Sequence, residues 1–357
     1  MNKVVKMKIA YVDIDLSGHH KKYLLSLAEN YPNSILIVPE QISEISVERQ
    51  FVVKNTSELH KYPTRYLRWL SNVYSILKKE HVDCVHFLYG DAFARYFGIG
   101  LNKFRRFRLV MTFHQIRRNT LKDISLKCIF KKIDFGIVHT EKLFTELKKF
   151  GFSNVVQIEY PSFVKLGNAT LSDRSEWGVL GATPILLLIG VLSRYKGLDM
   201  LVTALKQVNQ DYCLVVAGKN VDFSSEEIYQ FQNALGNKVK MFLRHITDNE
   251  YESLINLCDY VVLPYSRNFD GASGPLVDAV LYRHPVIASD YGSLGCIVKT
   301  NHLGYVYECE NCHSLTNVLE YALNNRYEWT KEAEKYRDTI QVQTFIESNM
   351  ELYNSFL

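Results

Sequence analysis

Two clusters in the second half of the chain have residue types and spacing suited to chemistry. Gly190-Val-Leu-Ser-Arg-Tyr-Lys-Gly197 follows an apolar run and opens a helical pattern. Arg194 and Lys196 therefore fall where backbone N–H groups and the positive end of a helix dipole already favour an anion. Two cations there suit a diphosphate; the motif by itself equally fits solvated charges on a loop. The second cluster is Phe269-Asp-Gly-Ala-Ser-Gly-Pro-Leu-Val-Asp-Ala279. Pro275 fits a first helical position, with Ser273 or Gly274 as cap. Asp270 then lies in the loop before the helix, and Asp278, eight residues on, lies about one turn inside it. Carboxylates so placed can accept hydrogen bonds from vicinal hydroxyls of a sugar or ribose, and the helix start beside them can hold phosphate. Asp278 alone would be an ordinary first-turn acid; Asp270, Ser273 and Gly274 give it weight.

The elements that position these residues follow from the apolar pattern. In the first half, Lys8–Ile14, Ser34–Val38, Asp83–Leu88, Arg108–Phe113, Phe135–Val138 and Val155–Ile158 read as strands. Helix-like stretches lie between them: His20–Glu29, Tyr66–Lys79, Ser125–Lys132 and Glu141–Phe150. After a linker-like stretch, Val164–Thr183, the pattern restarts with strands at Ile185–Gly190, Tyr212–Gly218, Val239–Leu243, Asp259–Tyr265, Pro285–Asp290 and Gly304–Glu308. Near-continuous apolar strands alternating with amphipathic helices predict parallel sheets covered on both faces. The expected architecture is α/β, with two doubly wound, Rossmann-like domains facing across a cleft. Ligands then bind at the carboxyl ends of the strands. The domains are expected at 1–165 and 166–339, with the terminal helix 340–357 packing back on the first.

The 357 residues exceed what one core usually serves, and 47% apolar with 22% charged residues excludes a disordered or fibrous chain. No apolar run approaches the ~20 residues of a membrane span, and the start of the chain lacks the apolar core of a signal peptide. Seven scattered cysteines fit reduced thiols in a cytoplasmic setting. Charge divides the chain unevenly. Up to Gly167 there are 27 Lys and Arg against 15 Asp and Glu; from Asn168 on there are 15 against 23. Basic residues concentrate in Lys103–Lys132, with Phe104 and Phe107 interleaved. An anionic membrane surface fits this stretch better than nucleic acid, for which no binding motif is present; a solvated basic face is the plain alternative. Asp13-Ile-Asp15 imitates a metal site but lacks a later partner, so no metal is expected. Cys309-Glu-Asn-Cys-His313 imitates a haem attachment pattern, which we read as a chance loop.

Gly190–Gly197, Asp270–Asp278 and His284-Pro-Val-Ile-Ala-Ser289 together resemble the donor-binding domain of retaining glycosyltransferases of family 4, glycosyl transferases group 1, which have the GT-B fold. That family shows Glu, seven residues and Glu, then a Gly-x-Pro-Val-Ile-Ala-Ser strand. Here Asp270 and Asp278 stand at that spacing, and His284 stands where Gly is usual. The resemblance runs from about Ile185 to Tyr307. It implies transfer of a sugar, with retained configuration, from a UDP- or GDP-linked donor to a hydroxyl of a glycan or lipid-linked acceptor. Such chemistry belongs to polysaccharide or glycolipid synthesis, in the cytoplasm or peripherally at the inner face of the cell membrane. No cofactor beyond the nucleotide sugar is implied. By the same resemblance Asp278 binds the ribose, Asp270 the transferred sugar, and Lys196 the diphosphate, with Ser273, Gly274 and Pro275 at the helix start beside it. Arg244, His245 and Ile246 line the base. Val191 replaces the usual arginine after the strand glycine, with Arg194 as the candidate second cation. In the first half, Asp15-Leu-Ser-Gly-His-His20 resembles the glycine loop that faces the phosphates, making Gly18, His19 and His20 candidates. His114, ending Val110–His114, resembles the histidine beside the reacting sugar. A catalytically silent partner subunit and a sugar-nucleotide epimerase of the same fold are the alternative functions.

Overall fold

The computed structural model describes residues 7–54, 56, 58–59, 61–116, 119–164, 174–179 and 181–357. Arg117, Arg118, most of the first half of the expected linker and the side chain of His19 lie outside the described residues. The chain divides into two compact units, Met1–Glu159 with Val342–Leu357, and Tyr160–Gln341. The division falls at 159/160, a few residues before the expected border at 165/166.

Unit 1 contains strands β1 (Ile9–Val12), β2 (Ser34–Val38), β3 (Gln50–Val52), β4 (Cys84–Phe87), β5 (Arg108–Phe113), β6 (Phe135–Val138) and β7 (Val155–Gln157). Its helices are α1 (His19–Asn30), α2 (Pro63–Lys79), α3 (Asp91–Ala94), α4 (Thr120–Phe130) and α5 (Glu141–Lys149). The described strands form one sheet in the order β3-β2-β1-β4-β5-β6-β7, every pairing parallel. Strands such as Ile-Ala-Tyr-Val and Ser-Ile-Leu-Ile-Val bury every residue, because helices cover both faces. The edge strand β3, missed by the apolar pattern, is only three residues long.

Unit 2 restarts the scheme. Its strands are β8 (Ile185–Ile189), β9 (Cys213–Ala217), β10 (Val239–Phe242), β11 (Tyr260–Leu263), β12 (Val286–Ser289) and β13 (Gly304–Tyr307). Its helices are α6 (Leu198–Leu205), α7 (Ser225–Leu235), α8 (Asp248–Leu257), α9 (Gly274–Leu281), α10 (Gly292–Thr300), α11 (Cys312–Asn324) and α12 (Lys331–Thr339). The parallel order is β10-β9-β8-β11-β12-β13. Both sheets are thus doubly wound, as the alternating pattern predicts. Each has a point where the strand order reverses: β1/β4 in unit 1 and β8/β11 in unit 2. At such a point the following loops part and leave a crevice at the carboxyl ends of the strands.

The last helix, α13 (Val342–Asn354), returns to unit 1. Phe345 packs edge-on against Tyr23 of α1 at 4.7 Å, and Tyr353 is sealed beside the sheet, where its hydroxyl meets His86 Nδ1 at 2.7 Å. His86 Nε2 meets Thr112 Oγ1 at 2.8 Å. This histidine on the central strand β4 is therefore a core residue with both ring nitrogens satisfied. Phe104 and Phe107 are also core residues, buried edge-on against Tyr74 at 5.6 and 6.0 Å. The expectation that they accompany the basic residues at a surface is thus corrected. Lys103, Arg105 and Arg106 are exposed, but the apolar residues exposed near them in sequence are Leu121 (68%) and Ile124 (48%) on α4.

Burial holds His86 down to about 3 and His139 to about 4. Both bind a proton more readily once unfolded, near pH 6.5. Stability should therefore be complete above pH 6.5 and decline as the pH falls towards 4, by up to ~1.4 kcal/mol per pH unit for each histidine. Urea unfolding of unit 1 at pH 7 and pH 5 checks this; equal midpoints would contradict it.

Candidate functional site

The loop after β8 is built around a buried ammonium. Ser193 leads into a single 3-10 turn, Arg194–Lys196, and Gly197 closes it with φ 68° before α6 begins. A Cβ at Gly197 would collide with the carbonyl oxygen of Pro264, so the close approach of the two loops requires glycine there. Lys196 turns inward and is 5% exposed. Its Nζ donates to the Ile189 carbonyl at 2.7 Å and lies 5.6 Å from the centroid of the Tyr265 ring. Gly190 leaves room for this: a side chain there would begin 2.7 Å from Nζ. Burial pushes the ammonium down to about 8.

The loop after β11 brings the acids to the same place. Ser266 N–H donates to the Tyr195 carbonyl at 2.8 Å. Phe269 stacks on Tyr195 at 5.4 Å and meets Tyr265 edge-on at 5.0 Å. These contacts tie the lysine turn to the loop of Asp270 across some seventy residues of sequence. Ser273 is the N-cap residue of α9, and Gly274 and Pro275 form the first two helical positions. The Ser273 hydroxyl is buried without a well-formed hydrogen bond among the described residues, although the Tyr265 phenol is close enough to feel it. Lys196 and Ser273 therefore flank one ring at the reversal point of the sheet, beside a helix start.

The two acids differ from the simple expectation that both face a ligand. Asp270 Oδ1 accepts from Ser293 N and Oγ at 2.8 and 2.9 Å, so the carboxylate sits on the first turn of α10. Asp278 is 3% exposed, like the rest of the buried helix α9. Its Oδ1 accepts from Ser162 Oγ and its Oδ2 from Tyr251 OH, both at 2.7 Å. Ser162 is itself fixed by its N–H donating to the Ile340 carbonyl at 2.8 Å. Burial and the adjoining carboxylate push the Tyr251 phenol well above its ordinary value, so it stays a donor. Neither hydroxyl has a signal in the sequence, because Ser162 lies 116 positions from Asp278.

Arg194 shares a turn with Lys196 but is engaged elsewhere. Its guanidinium pairs with Glu227 at 2.6 Å and lies over the Phe223 ring at 4.5 Å, on the exposed start of α7. Arg244 likewise pairs with Glu250 of α8 at 2.6 Å. His245 is exposed and Ile246 half-buried in the short turn between β10 and α8.

In unit 1, Gly18 precedes α1 with φ 57°, a left-handed position with open space around it. His114 ends β5. Its Nε2 donates to the Leu88 carbonyl at 2.8 Å, while Asp91 accepts from the backbone N–H of His114 and Gln115 at 2.8 and 3.1 Å. Burial, with His139 and His20 nearby, holds His114 well below the ordinary range. Asp13 Oδ2 contacts His20 Nδ1 at 3.3 Å. A cavity of about 1020 Å³ opens beside these loops, lined among others by Asp15, Ser17, Tyr89, Asp91, Phe97 and Leu121. Among the described residues no group of three His, Cys, Asp or Glu side chains could hold a metal ion.

Residues 171–341 match the family model of glycosyl transferases group 1. The segment covers Arg194, Lys196, Arg244, Asp270 and Asp278, and leaves out His114 and the rest of unit 1. Two curated relatives match parts of the chain. An uncharacterized glycosyltransferase of Methanocaldococcus jannaschii is 29% identical over 139 residues, 39% of this chain and 38% of the relative. D-rhamnosyltransferase WbpZ of Pseudomonas aeruginosa is 30% identical over 107 residues, 30% of this chain and 27% of the relative. The matches thus span well under half the length of those proteins. Among solved structures, sucrose-phosphate synthase of Thermosynechococcus elongatus superposes with TM-score 0.79 at 18% identity, over 98% of this chain and 99% of that one. HepE of Anabaena in complex with UDP gives 0.75 at 18%, over 98% and 100%. The fold is that of the GT-B glycosyltransferases.

Removing one hydroxyl from a buried, charged acceptor costs ~1.5–3 kcal/mol. Tyr251→Phe should therefore lower the melting temperature of the protein by several degrees, and Ser162→Ala should act similarly. Calorimetric melting checks both; variants as stable as the parent would mean that Asp278 does not depend on these donors.

Proposed function

We propose that the protein is a retaining glycosyltransferase, moving a sugar from a nucleoside diphosphate sugar to a hydroxyl of a glycan or lipid-linked acceptor in polysaccharide or glycolipid synthesis. The observation that carries this reading is the buried Lys196 ammonium beside the start of α9, with the buried Ser273 hydroxyl across the Tyr265 ring. Single-partner burial is an expensive way to keep a surface charge, but it suits a cation whose remaining donors meet an anionic ligand. In sugar transfer, charge grows on the departing diphosphate. Lys196 and the amides of Ser273 and Gly274 would stabilise it, and catalysis would be mainly positioning and electrostatics. Asp270 would address the sugar. Asp278 would meet the ribose with Tyr251 and Ser162 holding its carboxylate, and the Arg244–Ile246 turn would line the base. With Arg194 held by Glu227, Lys196 is the main cation of the site. The Anabaena neighbour is solved with UDP, and a UDP- or GDP-linked sugar is the proposed donor here. The cavity of unit 1 is the proposed acceptor site.

Calorimetry with UDP and GDP tests the donor site directly. One of the two should bind, and Lys196→Ala should weaken it tenfold or more. Because only the ammonium attracts phosphate, parent affinity should fall as the pH rises through about 8, whereas the variant should lack that dependence. Binding of neither nucleotide would remove the reading.

The exposed Lys103, Arg105 and Arg106, with Leu121 and Ile124, support peripheral attachment to an anionic membrane surface. Each basic residue near such a surface is worth ~1 kcal/mol. Replacing the three basic residues by Gln should release the protein from phosphatidylserine vesicles in a sedimentation assay and leave nucleotide affinity intact. Undiminished sedimentation would end the membrane proposal.

A further inference from the structure

The cavity of unit 1 is lined by opposite charges at its two ends. Asp15 follows β1 and Glu40 follows β2, whereas Arg95 directly follows α3, after β4, and Lys122 lies in the first turn of α4, after β5. The sheet order β3-β2-β1-β4-β5 therefore keeps these acids on one side of the reversal point and the cations on the other. Three strand spacings, about 14 Å, separate β2 from β5. We propose that Arg95 and Lys122 form a phosphate subsite in this cavity, and that its ligand is a sugar joined through phosphate to a lipid. Taking that ligand as the acceptor rests on the sugar-transfer reading above.

The packing of two helices brings the cations together. Ser125 Oγ donates to the Ala94 carbonyl at 2.5 Å, which ties α4 to the end of α3. Arg95 adjoins Ala94, and Lys122, three residues before Ser125, shares its face of α4. Arg95 is exposed and Lys122 half-buried. Neither side chain has a hydrogen bond or an ion pair among the described residues. Asp91, which also lines this end, is engaged elsewhere: its two oxygens accept from the backbone N–H of His114 and Gln115 at 2.8 and 3.1 Å. A half-buried ammonium without a partner is costly unless a ligand brings the counter-charge. A guanidinium beside it presents paired donors that match phosphate oxygens.

The rest of the lining says what is attached to the phosphate. At the acid end, Asp15 and Glu40 are exposed, and Ser17 and Tyr89 contribute to the same wall. Carboxylates there accept from sugar hydroxyls and repel a phosphate, so the ligand has one favoured orientation. Apolar surface continues outward from the cation end. Leu121 lines the cavity and is 68% exposed, and Ile124, nearly one turn further along α4, is 48% exposed. An alkyl chain leaving the phosphate would cover both. A neutral glycan would leave the cations unpaired and this apolar rim wet; a free sugar phosphate would leave the rim wet.

Calorimetry on the full chain with three probes tests the inference: decyl glucosyl diphosphate, decyl glucoside without phosphate, and glucose 1-phosphate without lipid. The first should bind at least tenfold more tightly than either of the others. Arg95→Gln with Lys122→Gln should weaken it tenfold or more, leaving UDP or GDP affinity at the parental value, and Arg95→Lys should retain part of the loss-free affinity. Lys103→Gln with Arg105→Gln and Arg106→Gln should leave its binding unchanged, which separates a subsite from general surface charge. Equal affinity for decyl glucoside, or undiminished binding by the Arg95/Lys122 double variant, would overturn the phosphate subsite while the transfer reading stands. Equal affinity for glucose 1-phosphate would overturn the lipid-linked class. A parent protein that holds the lipid probe through Arg95 and Lys122 but binds neither UDP nor GDP would instead remove the transfer reading and keep the subsite.

Discussion

Keeping an ammonium inside protein with one carbonyl as partner is the constraint on which the arrangement of unit 2 depends. Lys196 can enter only because Gly190 and Gly197 lack side chains, and because the ring of Tyr265 offers its face where water is excluded. Those conditions fix the turn after β8 against the loop after β11, and Tyr195 and Phe269 complete the contact. Once the two loops are joined, the start of α9 has one available position, beside the lysine. The acids follow from the same constraint. Asp270 is placed by the loop and anchored on α10, whereas Asp278 is carried inward by a helix that is buried along its whole length.

Much of this was legible in the sequence because it is local. A buried strand, a glycine-bounded turn and a helix at Gly190–Gly197 need no distant partner to be recognised, and the spacing of Asp270 and Asp278 is a property of one loop and one helix. The paired sheets follow from alternating patterns, and only β3, three residues at an edge, lacked enough apolar sequence to register. What escaped was long-range. Ser162 and Tyr251 meet Asp278 from 116 and 27 positions away, and no spacing rule points to either. Arg194 looked like a second cation because its neighbour is one, but Glu227, which also caps α7, claims it. Phe104 and Phe107 were placed with the basic residues that flank them, although a 3-10 turn over Leu101–Phe104 sends Leu101 and Phe104 inward and Phe107 is buried after it. Asp13 reads in the sequence as an incomplete metal site and His20 as a candidate of the glycine loop, and nothing there joins the two. Seven positions apart across a turn, they share no helical or strand period, and only the fold unites them.

Surface charge and site charge run in opposite senses in the two units. The first half of the chain is strongly basic, but the polar groups at its reversal point are Asp13, Asp15 and Asp91 with His20 and His114 beside them. The second half is acidic, yet the group buried at its reversal point is a lysine. This inversion has a physical basis. Exposed charges act over a Debye length of about 8 Å at physiological salt and shape encounter with large, distant partners. Buried charges act at hydrogen-bond range in a low dielectric and select the atoms that react. Net charge read along a sequence therefore reports on the first and is blind to the second. A cation sunk in an acidic domain suits a ligand that is held as an anion and released as a more highly charged one.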